Sequence, residues 1–209
     1  MEFGAKVIAR LRRRYMKSIG TMLEHGNVGE LLVATILSPQ CTDKQVNAVT
    51  KSLFKRYASF DDYAKADATS LQLALKGVNY YKTKARNLKR AAKMIVDEYG
   101  GRVPNDMEKL MRLPGVGRKV ANVVMANGFR NAVGIAVDTH CITVSRRLKL
   151  TRHKNPHKIE ADLMRKIPKK DWVVTSNLFI ALGRDVCRAN KKICEKCVLK
   201  DICPSSTQK

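Results

Sequence analysis

Cys187, Cys194, Cys197 and Cys203 follow one another at gaps of six, two and five residues near the end of the chain. Four thiolates in so short a stretch are the ligand set of an iron-sulfur cluster or of a structural zinc. Structural zinc sites usually show two close cysteine pairs, whereas here only Cys194 and Cys197 are that close, which tilts the reading towards iron. Two disulfides are the remaining use. They persist mainly in oxidising compartments, and the basic start of the chain lacks the apolar run of a secretory segment. Arg188, Lys191, Lys192, Lys196 and Lys200 are interleaved with the cysteines, so whatever the thiolates bind lies on a strongly basic surface.

A second group with chemical potential is LPGVGRK at 113–119. Two glycines around one apolar residue allow a tight turn with no side chain in the way, and they leave the amides of Gly115 and Gly117 at a helix N-terminus, where they make an anion cradle. In a basic protein the natural anion is a nucleic-acid phosphate. Many helix pairs are joined by such turns, so the turn alone is weak evidence. Lys119 adds to it. In the first turn of the following helix its ammonium meets the positive helix end and the like charge of Arg118, and a destabilised ammonium makes lysine a nucleophile. A phosphate contact is the plainer role for a lysine so placed. In AVDTH at 136–140, Asp138 precedes an apolar-periodic helix and is first of all an N-cap; a capping carboxylate can also face a cleft and take a proton or stabilise a developing cation.

The elements that must position these groups are helical. Almost every segment carries the 3.6-residue period and none alternates, so the fold class is all-α. Val7, Ile8, Leu11, Tyr15 and Ile19 give the N-terminal helix an apolar side. Asn27 with Glu30 caps the next helix, and Asp43 is read as the cap of the run through Val46, Leu53 and Tyr57. Further helices are expected near 61–66, 69–76 and 82–99, the last stopped by Gly100-Gly101, with another from Asn105 to just before Pro114. Asp138, Asn155-Pro156 and Asp171 each mark a later start. The small-residue stretch 128–135 is the one plausible boundary. It divides a six-pattern domain, 22–130, from a second domain made of 131–209, which carries the cysteine loop at 187–203, and of the N-terminal helix, 1–21.

Lys and Arg number 41 against 18 Asp and Glu, a net charge of +23 spread along the whole chain, so a polyanion is the expected partner, DNA or RNA before a membrane. No stretch approaches the roughly 18–20 apolar residues of a membrane span. The expectation is a soluble intracellular protein, cytoplasmic and nucleoid-associated if prokaryotic.

LPGVGRK, VDTH, the cysteine gaps of six, two and five, and LSPQCTD at 37–43 together resemble the endonuclease III family of DNA glycosylases in the helix-hairpin-helix superfamily, across essentially the entire chain. The family's own segment at the last position reads LSAQATD. The resemblance implies a two-domain fold, a six-helix barrel domain and an iron-sulfur domain with a cleft between them. It also implies a monomeric base-excision enzyme acting on double-stranded DNA that carries oxidised pyrimidines or abasic sites. Lys119 matches the amine that attacks C1′ of the sugar, and Asp138 the carboxylate that assists it. A Schiff base then permits β-elimination, with strand cleavage 3′ to the site. Gln40 matches the residue inserted where the flipped base was. Leu113, Gly115 and Gly117 match the hairpin that grips phosphate. The four cysteines match the ligands of a 4Fe-4S cluster that shapes a DNA-contacting loop, here with Arg188, Lys191 and Lys192. The basic groove and wedge suit a reaction that must unstack a base.

GVNYYKTK at 77–84 departs from the family, whose shorter turn carries an apolar wedge for the opposite strand; Val78, Asn79 and Tyr80 are the candidates here. Cys41 and Cys141 lie outside the cluster pattern and read as small buried residues. His140 has a supporting or a direct role in VDTH. An adenine glycosylase of the same superfamily would carry a catalytic Glu where this chain has Ala34 and usually lacks the hairpin lysine; a mismatch thymine glycosylase also tends to replace that lysine. A DNA-damage sensor would have no use for a nucleophile. A zinc-stabilised RNA-binding protein would need stacking platforms, and aromatic residues are only 6%.

Overall fold

The computed structural model describes residues 1–18 and 23–208. Its helices are α1 (Glu2–Tyr15), α2 (Val28–Leu37), α3 (Asp43–Arg56), α4 (Phe60–Lys65), α5 (Ala68–Ala74), α6 (Tyr81–Tyr99), α7 (Met107–Arg112), α8 (Arg118–Val123), α9 (Thr139–Arg147), α10 (Pro156–Lys166) and α11 (Trp172–Asp185). Among the described residues the only strands are β1 (Cys187–Arg188) and β2 (Lys191–Lys192), an antiparallel pair in the register Cys187 to Lys192. The all-α class holds, and no helix among the described residues is long and apolar enough to cross a membrane.

The chain forms two compact units, one of Thr21–Phe129 and one of Met1–Gly20 with Arg130–Lys209. In the first, Leu32, Leu37, Leu53, Leu71, Leu88, Ile95 and Leu110 build the core. Its helix starts follow side-chain chemistry. Asn27 accepts from the Glu30 amide at 2.9 Å while the Glu30 carboxylate accepts from the Gly26 amide at 2.6 Å. The cap of α3 is Thr42 and not Asp43, because Thr42 and Gln45 form a reciprocal capping box; Asp43 then lies in the first turn, where the helix dipole favours a negative charge. Asp106, not Asn105, caps α7 by accepting from the Lys109 amide at 2.8 Å. At its far end α6 stops at Gly100, which has φ +59 and so takes the left-handed cap that glycine adopts most easily. α8 runs on as a π-helical turn over Val124–Gly128.

In the second unit α1 buries Val7, Ile8, Leu11 and Tyr15 against a core that includes Val144, Leu148, Ile159, Leu163, Phe179 and Leu182. Ile19, the remaining member of the expected stripe, lies outside the described residues. α1 passes so close to the end of α10 that a Cβ at Gly4 would stand 2.1 Å from the Lys166 carbonyl oxygen. Asp138 and Asn155 cap α9 and α10 as expected. Asp171 precedes α11 without capping it, because its carboxylate is taken by Arg12 of α1, at 2.7 Å from Nη2 and 3.2 Å from Nε.

Candidate active site and thiol loop

α7 and α8 are joined by a turn whose parts have separate jobs. Leu113 and Val116 are buried and seat it on the core. Gly115 has φ +86, and a Cβ there would meet Asn87 at 3.3 Å and Ile36 at 3.4 Å, so both backbone and space call for glycine. Gly117 is the N-cap of α8 with open space where a side chain would be. Both glycines are exposed, and their amides donate no hydrogen bond among the described residues. Lys119, one residue into α8, is exposed and likewise makes no hydrogen bond or ion pair among the described residues. The turn therefore presents unspent amides and an unengaged amine together. That set can bind an anion and deliver a nucleophile.

Asp138, half-buried in the other unit, donates nothing and accepts the Cys141 amide at 2.7 Å through Oδ1. Its Oδ2 has no hydrogen-bond partner among the described residues, so capping consumes one carboxylate oxygen and leaves the other for chemistry. His140 supports this helix from behind: a Cβ on Gly183 of α11 would lie 2.8 Å from its Nδ1, which makes it a packing residue against α11. Cys141 is fully buried, and burial pushes its thiol well above the usual range, so it is inert as expected.

Gln40 occupies an exposed turn between α2 and α3 with φ +58. That turn is tied to the one before α6, because the Asn79 side chain donates to the Gln40 carbonyl at 2.5 Å and the Asn79 amide to Cys41 Sγ at 3.2 Å. Cys41 is thus only half-buried and is a hydrogen-bond acceptor, not a plain core residue. Val78 is 2% exposed and Tyr80 is 64% exposed, so the three candidate wedge residues of this turn are distinguished by the fold. An apolar pocket in the same unit, lined by Phe54, Tyr57, Phe60 and Tyr63 among others, contains none of the candidate catalytic, DNA-binding or metal-ligating residues.

Cys187, Cys194, Cys197 and Cys203 line one pocket. No three Cys, His, Asp or Glu side chains among the described residues converge tightly enough to hold a single metal ion. Burial and the nearby Cys187, Cys194 and Cys203 sulfurs push the Cys197 thiol up, and burial with the neighbouring sulfurs does the same to Cys203. Burial also opposes ionisation at Cys194, but hydrogen bonds from Thr207 together with Lys192 outweigh it and bring that thiol down. Four thiolates crowded here need positive charge among them, which is what a metal group supplies. Arg147 braces the loop: Nη1 donates to the carbonyls of Cys187 and Arg188 at 3.1 and 2.7 Å, and Nη2 to that of Ala189 at 2.8 Å. Arg188, Lys191 and Lys192 are exposed on the hairpin, Lys192 bonded to the Ser205 carbonyl at 3.0 Å and Arg188 to that of Arg184 at 3.1 Å. Sequence reasoning missed Arg147 and also Lys84, a buried ammonium beside Cys41. Their partners lie some forty residues away, and neither spacing nor residue type marks them.

A glycine hairpin bearing an exposed lysine on an all-helical frame, with a four-thiol loop some seventy residues further on, defines a helix-hairpin-helix protein of the base-excision type. Residues 33–169 match the family model described as HhH-GPD superfamily base excision DNA repair protein. Endonuclease III of Bacillus subtilis (strain 168) is 46% identical over 182 residues, 87% of this chain and 83% of that protein. A trapped endonuclease III-DNA covalent intermediate in an estranged-adenine complex superimposes with TM-score 0.87 at 39% identity, over 95% of this chain and 92% of its own. A thermostable thymine-DNA glycosylase shares the fold, with TM-score 0.85 at 21% identity over 96% and 94% of the two chains. The chain belongs to the HhH-GPD superfamily and, within it, to the endonuclease III family.

Proposed function

We propose that the protein is a bifunctional DNA glycosylase and AP lyase that removes oxidised pyrimidines from duplex DNA. The observation that carries this reading is Lys119: an exposed, unengaged amine beside a phosphate-competent glycine turn, in a family one member of which has been captured covalently on DNA. Unprotonated Lys119 Nζ attacks C1′, the N-glycosidic bond breaks, and the base leaves with its bonding pair and takes up a proton. The nitrogen on C1′ then gives up a proton and its lone pair closes the C=N bond as the C1′–O4′ ring bond breaks, O4′ taking up a proton to become a hydroxyl, which leaves a protonated imine at C1′. Imine conjugation acidifies the 2′ hydrogen, whose removal expels the 3′ phosphate and cuts the strand. Asp138, through the oxygen not used for capping, assists by stabilising the developing positive charge on the sugar. The amides of Gly115 and Gly117 hold backbone phosphate. Gln40 enters the space vacated by the flipped base. Of the turn before α6, Tyr80 is the residue we assign to the opposite strand, since Val78 is buried and Asn79 is spent on the Gln40 loop.

Cys187, Cys194, Cys197 and Cys203 are assigned as the residues that would hold a 4Fe-4S cluster, which would cross-link the loop that carries Arg188, Lys191 and Lys192 for phosphate contact. Four sulfurs line one pocket, and their spacing, with only Cys194 and Cys197 as a close pair, suits a multi-iron group better than one zinc ion, whose structural sites usually show two close pairs. Acting on the genome places the protein in the cytoplasm, on the nucleoid in a prokaryote.

The test is borohydride trapping on duplexes carrying thymine glycol, an abasic site, or adenine opposite 8-oxoguanine, with Lys119→Ala alongside. An adduct on the first two that disappears in the variant is the expected result, with damage binding kept. Base loss without an adduct would replace this reading with a water-using glycosylase such as a thymine or adenine enzyme, and no reaction on any duplex would leave a damage sensor.

A further inference from the structure

Lys84 has only 6% of its surface exposed and forms no ion pair with a carboxylate among the described residues. A buried ammonium must spend its three donors, and here every one goes to a single short segment. Nζ donates to the Leu37 carbonyl at 2.7 Å, the Pro39 carbonyl at 2.8 Å and Cys41 Sγ at 3.2 Å. The first acceptor is at the C-terminal end of α2, where carbonyls lack helical partners and the dipole favours a cation. The other two flank Gln40. The turn itself closes by the Cys41 amide donating to the Ser38 carbonyl at 2.9 Å, with Pro39 second and Gln40 third at φ +58. That is the type II pattern, in which the third position ordinarily belongs to glycine or asparagine. Gln40 has neither advantage, so something outside the turn must hold it there. Asn79 supplies the remaining tie, from the turn that carries Tyr80, also in the left-handed region at φ +58.

We propose that Lys84 is a positioning residue for base extrusion: from its buried site it presets the Ser38–Cys41 turn with Gln40 outward, and Asn79 locks the Tyr80 turn to it, so that the two intruding side chains enter the duplex as one rigid device. This rests on the reading of Gln40 as the inserted residue. A rigid probe has no loop-ordering cost to meet at the moment of unstacking, which is why presetting raises the extruded population and not the affinity for DNA in general.

The experiment uses the full-length protein on a thymine glycol duplex with 2-aminopurine opposite the lesion, whose fluorescence rises when that base is unstacked. Lys84→Met keeps the length of the side chain and removes the donors; Asn79→Ala removes only an exposed tie; Gln40→Ala reports on the underlying reading. Binding and fluorescence are read in a Lys119→Ala background, turnover with Lys119 present. For Lys84→Met the fluorescence rise should be largely lost and kcat for base excision should fall tenfold or more, with KM and affinity for undamaged duplex within about twofold. Strand cleavage at a preformed abasic site should be much less affected. Asn79→Ala should move the same quantities in the same direction by less. Full fluorescence and turnover in Lys84→Met, with both lost in Gln40→Ala, would overturn the proposal; both kept in Gln40→Ala would remove the reading beneath it. If Lys84→Met does not fold, Asn79→Ala decides, and wild-type values there overturn the linkage.

Discussion

Asp138 shows how one side chain can serve fold and chemistry at once, because its two oxygens are separable. Oδ1 accepts the Cys141 amide and starts α9; Oδ2 is left over. Asparagine caps a helix about as well as aspartate, whereas alanine costs about 1 kcal/mol. Asp138→Asn should therefore melt within a degree or two of the parent yet excise thymine glycol far more slowly, and Asp138→Ala should lose both. Thermal melting beside single-turnover excision separates the roles. An asparagine variant with parental turnover would reduce Asp138 to a cap. Lys119 has no such double duty, since it is exposed and makes no hydrogen bond or ion pair among the described residues, and its loss should be silent in stability.

Among the elements, those whose cause is local were legible from the chain and those whose cause is distant were not. Asn27, Asp138 and Asn155 cap where expected because the partner amide is two or three residues away. Asp43 and Asn105 are one residue off because Thr42 closes a reciprocal capping box with Gln45 and Asp106 accepts from the Lys109 amide. Asp171 failed as a cap for a tertiary reason, its pairing with Arg12 from the other end of the chain. The same divide runs through the candidate site. The spacing of the cysteines anticipated four sulfurs on one pocket, but nothing in it announced Arg147, which holds the loop by its carbonyls. Removing such a brace from around a metal site typically costs about 10–100-fold in affinity. On the proposed 4Fe-4S assignment, Arg147→Met should thus lose iron to a chelator at least about tenfold faster while the helices keep their melting point, read by visible absorbance and circular dichroism. Gly4 is the opposite case, a contact felt by the whole helix: Gly4→Ala drives a methyl into the Lys166 carbonyl and should cost about 1–3 kcal/mol, seen as a lower denaturant midpoint. An unchanged midpoint would mean that α1 can slide off α10 without penalty.

At the scale of the molecule the net charge of +23 makes attraction to any duplex strong and unspecific, so charge alone cannot direct the enzyme to damage. Discrimination has to come from the cost of unstacking, which is lower for a damaged base, and from the turns that exploit it. In the proposed reading the hairpin at β1 and β2 makes the first, unspecific kind of contact. Its cations, Arg188, Lys191 and Lys192, are exposed. Lys191 and Lys192 together should account for about two phosphate contacts, each worth about 0.9 in the slope of log affinity against log salt. In the double variant Lys191→Gln, Lys192→Gln, affinity for damaged and undamaged duplexes should therefore fall by the same factor. The salt slope should flatten by close to 2, and the ratio between the two duplexes should be kept. Lys192 also bonds the Ser205 carbonyl beside the thiols, so the double variant is to be compared at equal iron content, and the single variant Lys191→Gln should show half the change in slope with the loop intact. A slope that stays put would take the hairpin out of the DNA interface. A changed ratio between damaged and undamaged DNA would mean instead that this loop reads the lesion, and the division between a charged grip and a mechanical probe would have to be redrawn.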